Sequence, residues 1–259
     1  MEVIIVSTDA EVGHLAAEKI ATLVARTPTA VIGLATGSSP EGIYRDLRAR
    51  VEAGEISFAE ARGFALDEYV GIPLNHRESY ASVINREVVE PLGFNPSRVR
   101  VPDGRAEDLE FVAAKYDADI GAAGGVDIQI LGIGTNGHIG FNEPTSSFAS
   151  RTRIKTLAPR TRQDNQRFFN SLDEVPVHCI TQGLGTILEA RELLLVAQGE
   201  KKADAIAAAV EGPLTSFVPG SALQLHPHAT VILDKAAASR LQLTDYYRHT
   251  YANKLNRIA

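Results

Sequence analysis

The chain is poor in cysteine, in positive charge and in long apolar runs, and each shortage excludes something. Its one cysteine, Cys179, leaves no internal disulfide to form, so a reducing, cytoplasmic compartment is the expectation. A formal charge of −6 argues against general nucleic-acid or membrane-surface binding, and any anionic ligand must then meet a local basic pocket. The opening Met1-Glu2-Val3-Ile4-Ile5-Val6-Ser7 has neither the basic start nor the apolar core of a secretory leader. No later run approaches the ~20 residues of a membrane span. Flexible linkers, low-complexity tracts and fixed-period repeats are missing too, which points to one domain over residues 1–259. Such a domain buries roughly 70 to 75% of its unfolded surface. With no tryptophan, 44% hydrophobic and 22% charged residues, the composition is that of an ordinary globular protein.

What is present is a strict alternation. Short apolar runs of mostly β-branched residues or leucine predict strands at Val3 to Ser7, Val31 to Ala35, Gly63 to Leu66, Val126 to Leu131, Leu193 to Ala197 and Thr230 to Leu233. Between them, helical spacing predicts helices at Ala10 to Val24 after a capping Asp9, Glu41 to Glu52 opened by Pro40, and Tyr80 to Val89 capped by Ser79. Further helices are predicted at Ala106 to Ile120, Pro159 to Phe169 and Lys201 to Val210. Alternation of this kind builds an α/β fold, Rossmann-like, with a mainly parallel sheet and helices on both faces.

Three motifs fall where such strands end, the usual place for ligands in open α/β sheets. The first, Thr36-Gly37-Ser38-Ser39, leads from a strand into a helix. Its free backbone N–H groups and the helix dipole suit a phosphate, although a plain βα turn with Ser39 near the cap fits the same residues. Lacking a Gly-Lys-Ser/Thr ending, it does not match a nucleotide-binding loop. The second, Leu66-Asp67-Glu68-Tyr69-Val70-Gly71, puts two acids at a strand end. A carboxylate held partly out of water is a natural base for a C–H proton, so Asp67 is the candidate, against a capping or ion-pairing role for Asp67 or Glu68. The third, Gly132-Ile133-Gly134-Thr135-Asn136-Gly137-His138-Ile139-Gly140-Phe141-Asn142-Glu143-Pro144, offers a histidine whose tautomer Asn136 and Glu143 would fix, with glycines that allow the backbone to approach a ligand closely.

In an acidic chain the basic cluster Arg151, Arg153, Lys155, Arg160, Arg162 and Arg167, opposed only by Asp164, stands out. If Arg151 to Lys155 is extended, its three cations share a face, to hold an anion or to pair across a subunit edge. Arg167 is suited to a bidentate grip on phosphate, and Lys202 to a point charge at a helix start. His226 and His228 lack a third ligand at any metal-binding spacing and read as a turn, and Cys179 reads as a small buried apolar residue.

Together, the second and third motifs and Ser150-Arg151-Thr152-Arg153-Ile154-Lys155-Thr156-Leu157 closely resemble the glucosamine-6-phosphate deaminase (isomerising) family, over nearly the whole chain to Leu225-His226-Pro227 and beyond. The resemblance implies a cofactor-free, metal-free enzyme of amino-sugar (N-acetylglucosamine) catabolism acting on a small amino-sugar phosphate. It would convert glucosamine 6-phosphate and water to fructose 6-phosphate and ammonia. In that family's pattern His138 opens the sugar ring, Asn136 and Glu143 hold and polarise it, and Asp67 moves a proton between C2 and C1. Thr36, Gly37, Ser38, Ser39, Arg167 and Lys202 match its phosphate ligands. Well-known members carry aspartate where this chain has Asn136, and other members carry asparagine, so this departure leaves the pH profile open and not the reaction. Some members are hexamers activated by N-acetylglucosamine 6-phosphate between subunits. Ser146, Arg153, Lys155 and Thr156 match that effector site, so a homo-oligomer is among the expectations. Two rivals remain, 6-phosphogluconolactonase, which needs no C–H base, and a sugar-phosphate sensor, which should carry a basic helix-turn-helix that this chain lacks.

Overall fold

The computed structural model describes residues 1–254; positions 255–259 of the expected domain lie outside the described residues. Ten strands form among them: β1 (Glu2–Val6), β2 (Val31–Leu34), β3 (Arg62–Ala65), β4 (Asp67–Tyr69), β5 (Val99–Arg100), β6 (Ile128–Leu131), β7 (Arg153–Thr156), β8 (His178–Thr181), β9 (Glu192–Ala197) and β10 (Ala229–Asp234). The six predicted strands are all there, and with β5 they make one sheet in the order β1-β10-β9-β6-β2-β3-β5. Every pair in it is parallel. No residue of β2 or β6 is exposed, which is why their sequences run apolar without alternation. The one polar residue of β6, Gln129, is accommodated because Gly33 has no side chain, since a Cβ there would lie 2.1 Å from Gln129 Oε1.

Helices cover this sheet, and their ends depart from expectation wherever a side chain competes for the first N–H groups. Thr8, not Asp9, caps α1 (Asp9–Arg26) through a reciprocal box with Glu11. Among the described residues no side chain caps α2 (Glu41–Glu52); Pro40 sits at its start, and Ser39 accepts from Gln198 Nε2 through its carbonyl at 3.2 Å. The expected Ser79 cap opens α3 (Tyr80–Ile84), but the chain then widens into a π-type turn, Asn85–Val89, before α4 (Glu90–Leu92). Asp108 accepts the Phe111 N–H at 2.8 Å, which delays α5 (Leu109–Ala122) beyond its expected start at Ala106. The helix α6 (Pro159–Asn165) gives way to a 3-10 turn that carries Arg167. After α7 (Leu184–Leu188), α8 (Ala203–Val210) follows a 3-10 turn that ends at Lys202. The chain closes through α9 (Thr244–Ala252). No described helix is long and apolar enough to cross a membrane.

From β2 the chain steps outward through β3 to β5, then returns to β6 beside β2 and steps the opposite way through β9 and β10. Connections leaving β2 and β6 therefore diverge, opening a crevice at their carboxyl ends. A second sheet, β4-β8-β7, antiparallel and absent from the sequence expectations, forms beside it. In its register Thr181 faces both Asp67 and Arg153. Cys179, fully buried, packs there with Tyr69, Ile72, Phe141 and Leu157 in a small core of its own. His226 is used by the turn it begins: Nε2 lies 2.8 Å from the Ala190 carbonyl and Nδ1 accepts the His228 N–H at 3.1 Å.

Candidate active site

A cavity of about 580 Å³ opens in that crevice, and Thr36, Gly37, Ser38, Ser39, Asp67, His138, Arg167 and Lys202 all line it. The Thr36-to-Ser39 loop, His138 and Lys202 follow the adjacent parallel strands β2, β6 and β9, Asp67 lies on β4 directly after β3, and Arg167 is brought in by the turn after α6.

At one end lies the loop between β2 and α2. Gly37 there has φ +88°, a left-handed conformation that glycine adopts at no steric cost. The Arg167 guanidinium donates weakly to Ser38 Oγ at 3.4 Å, and Lys202 Nζ donates to the Ile133 carbonyl at 2.6 Å. Burial, added to the nearby Arg167 charge and partly offset by Asp164, lowers the Lys202 pKa from its ordinary value. Two cations that line one cavity and, among the described residues, form no ion pair suit an anion. Asp164 instead accepts from Thr135 Oγ1 at 2.7 Å and pairs with Arg160.

The two acids of the second motif part company. Glu68 is the anchor, since its carboxylate accepts the backbone N–H groups of Tyr69, Tyr80 and Ala81 at 2.8–2.9 Å and so pins the start of α3. Asp67, only 6% exposed, faces the cavity. Burial first, and the Glu68 charge second, push its carboxyl well above the usual range, the direction a general base needs to work near neutrality.

His138 sits over Gly134: a Cβ on that glycine would meet the imidazole at 2.3–2.5 Å. The close approach that this glycine permits is therefore to the imidazole, not to a ligand. Asn136 also acts otherwise than expected. It does not hold the ring; its Oδ1 accepts the His138 backbone N–H at 3.2 Å and its Nδ2 donates to Glu143 Oε2 at 2.8 Å. Glu143 Oε2 lies 3.7 Å from His138 Nδ1, an ion-pair distance, while Oε1 accepts the Ala158 N–H at 3.0 Å. Burial would raise the Glu143 carboxyl, but His138, the Thr161 hydroxyl and the Ala158 N–H together outweigh it and bring it down to about 2.

Several wall residues escaped the sequence reading. Tyr80 and Phe141 stack at 5.9 Å between ring centroids, and both line the cavity with Thr161 and Asn165. Phe141 lies within the third motif, where it was given no role, and the signal for the others was proximity to a motif or to Arg167. The four residues matched to an effector site do not converge on one cavity. Ser146 turns inward to the Glu143 carbonyl at 2.7 Å, and Thr156 lies 3.3 Å from His178. Arg153 donates to Asn142 Oδ1 at 2.8 Å, while Lys155 shares its strand. Among the four, only Arg153 lines the separate cavity of about 500 Å³ beside α5. Arg151 falls outside β7 and pairs with Asp117 and Glu189, so the expected row of three cations is reduced to two.

Comparison with known proteins bears on this geometry. Residues 7–232 match the model of the family described as glucosamine-6-phosphate isomerases/6-phosphogluconolactonase. A glucosamine-6-phosphate deaminase of Streptomyces avermitilis is 59% identical over 255 residues, covering 98% of both chains. A solved structure described as a monomeric glucosamine-6-phosphate deaminase is 42% identical with a TM-score of 0.91, covering 93% of this chain and all (100%) of the other. A 6-phosphogluconolactonase from Trypanosoma cruzi, 21% identical with a TM-score of 0.73 over 93% and 97% of the two chains, shares the fold.

Proposed function

Because the chain belongs to the glucosamine-6-phosphate isomerase/6-phosphogluconolactonase family, we propose that its cavity is the site of an isomerising deamination. The protein converts glucosamine 6-phosphate and water to fructose 6-phosphate and ammonia, in agreement with deaminase relatives at 54–59% identity along the chain. One observation carries the assignment to this cavity: a buried carboxylate, an imidazole and two cations line it together.

In the proposed mechanism Ser38, the surrounding Thr36-to-Ser39 backbone, Arg167 and Lys202 hold the phosphate and so fix the sugar's far end. His138 takes the proton from the anomeric hydroxyl and returns it to the ring oxygen, with Glu143 stabilising the transient imidazolium and Asn136 holding Glu143. The open chain then presents C2 to Asp67. The Asp67 carboxylate removes the C2 hydrogen while the substrate's own C2 ammonium gives a proton to the C1 oxygen, giving an enolamine with its hydroxyl on C1 and its neutral amine on C2. The same carboxyl returns the proton to C1. The C2 iminium that results takes up water and expels ammonia, leaving the ketone. A raised Asp67 pKa supports both halves of that transfer, since the acid formed in the first is the donor in the second.

The reading extends to one domain over residues 1–259, to a cytoplasmic setting in keeping with a lone buried thiol, and to self-association together with an effector site at Ser146, Arg153, Lys155 and Thr156. Light scattering with and without N-acetylglucosamine 6-phosphate checks the last two. For the reaction, ammonia and fructose 6-phosphate are measured together with purified protein. Equimolar release is expected, and hydrolysis of 6-phosphogluconolactone without ammonia release would overturn the assignment.

A further inference from the structure

The carboxylate of Glu143 has room for more donors than it has. Its two oxygens offer about four acceptor positions, of which Ala158 N–H fills one on Oε1 and Asn136 Nδ2 one on Oε2. Among the described residues, two buried polar atoms in the wall of the same cavity have no hydrogen-bond partner, His138 Nδ1 and Thr161 Oγ1. Unpaired buried polar atoms are costly and uncommon in folded proteins, so two of them near one under-used carboxylate call for a joint explanation.

Thr161 is 3% exposed and stands on α6, one turn after Ala158 and ahead of the 3-10 turn that carries Arg167. The same short segment thus touches Glu143 at its beginning and the phosphate loop, through Ser38, at its end. The hydroxyl is near enough to help hold the Glu143 carboxyl at about 2, yet it makes no completed hydrogen bond.

We propose that Thr161 is a positioning residue for ring opening: with sugar phosphate bound, its hydroxyl donates to Glu143 and holds the carboxylate against His138 Nδ1. The proposal rests on the reading of the cavity as a deaminase site. Thr161 touches no reacting atom in this scheme. It removes the rotational freedom of the one side chain that must stay beside the imidazolium as it forms, which is a task for a short, stiff, β-branched donor. Loss of that donor slows ring opening and leaves the C2 proton transfer at Asp67 intact.

The test compares Thr161→Val, which keeps the shape and removes the hydroxyl, with Thr161→Ser, which keeps the hydroxyl. Ammonia release is followed with glucosamine 6-phosphate carrying hydrogen or deuterium at C2, across pH. The expected result for Thr161→Val is kcat/KM lower by about 10-fold, the size of one lost hydrogen bond to a charged group. It is accompanied by a C2 isotope effect that shrinks toward unity, because ring opening becomes limiting, and by an acid limb displaced to higher pH as Glu143 loses a donor. Thr161→Ser restores all three. An isotope effect and acid limb both equal to wild type in Thr161→Val overturn the proposal whatever happens to the rate, since a merely structural defect lowers the active fraction and moves neither. If Thr161→Val does not fold, Thr161→Ala is put to the same measurements and judged by the same outcomes. Failure of the wild type to release ammonia at all sinks the deaminase reading instead, so the two failures are distinguishable.

Discussion

Replacing Gly134 by alanine puts a methyl group where the imidazole of His138 now lies. The added Cβ would stand 2.3 Å from Cε1 and 2.5 Å from both ring nitrogens, whereas ordinary contact begins at roughly 3.4 Å or more. The shortfall is about 1 Å, and because the peptide below cannot retreat without breaking the Gly134 N–H bond to the His138 carbonyl at 2.8 Å, the ring must move. A displacement of ~1 Å at a reacting group costs on the order of 10²-fold in rate. Overpacking of this kind also costs about 1–3 kcal/mol of stability. The expected result is therefore kcat lower by about 100-fold, KM changed little because the phosphate end is untouched, and a modest drop in Tm. Steady-state ammonia release and thermal unfolding measure these quantities. Gly121→Ala serves as control: its new methyl meets nothing within 4 Å, so it should leave kcat alone and stabilise α5 by roughly 0.5–1 kcal/mol. Gly134→Ala with kcat within threefold of wild type would refute the idea that this glycine exists to seat the imidazole.

Asp67→Asn should abolish turnover by about 10²–10⁴-fold and yet raise Tm at neutral pH. Its folded pKa lies above the unfolded value, so the ionised carboxylate costs stability above the unfolded pKa, and the neutral amide removes that cost; a lower Tm counts against the burial argument. Glu143 has the opposite sign. With a folded pKa of about 2 against 4.5, it contributes about 3 kcal/mol above the unfolded pKa, lost as pH falls from roughly 4.5 to 2. Urea titrations of wild type and Glu143→Gln over that range should therefore converge at low pH, and parallel curves would show the carboxylate to be unimportant. Arg167→Ala and Lys202→Ala should each raise KM by about 10- to 100-fold, the size of a charge-assisted bond to phosphate, with kcat less affected; unchanged KM would move the phosphate elsewhere.

Six of the seven strands of the parallel sheet were legible because burial of both faces makes their inner residues mostly apolar, whereas β5, two residues long with an exposed Arg100, carries no such signal. The β4-β8-β7 sheet was not. Its strands are short and partly polar, and Asp67-Glu68-Tyr69 reads as a chemical motif before it reads as a strand. Convergence of Asp67, His138, Arg167 and Lys202 followed from strand ends and from family resemblance, but the division of labour within each motif did not. That Glu68 caps α3 while Asp67 stays free depends on where Tyr80 and Ala81 return. That Asn136 donates to Glu143 and not to the ring depends on a turn geometry set by Gly137, with φ +84°, which no spacing reveals. The start of β7 at Arg153 was equally hidden, since Thr152 is drawn out of line by Asp117, to which both its N–H and its hydroxyl bond.

Thr181 has a consequence for the geometry of the chemistry. It lies opposite Asp67 in the ladder, and its hydroxyl also takes the Phe141 N–H at 3.0 Å, in the loop that brings His138. The strand that bears one proposed proton carrier and the loop that bears the other are thus both tied to a single threonine, which couples the placement of the two groups.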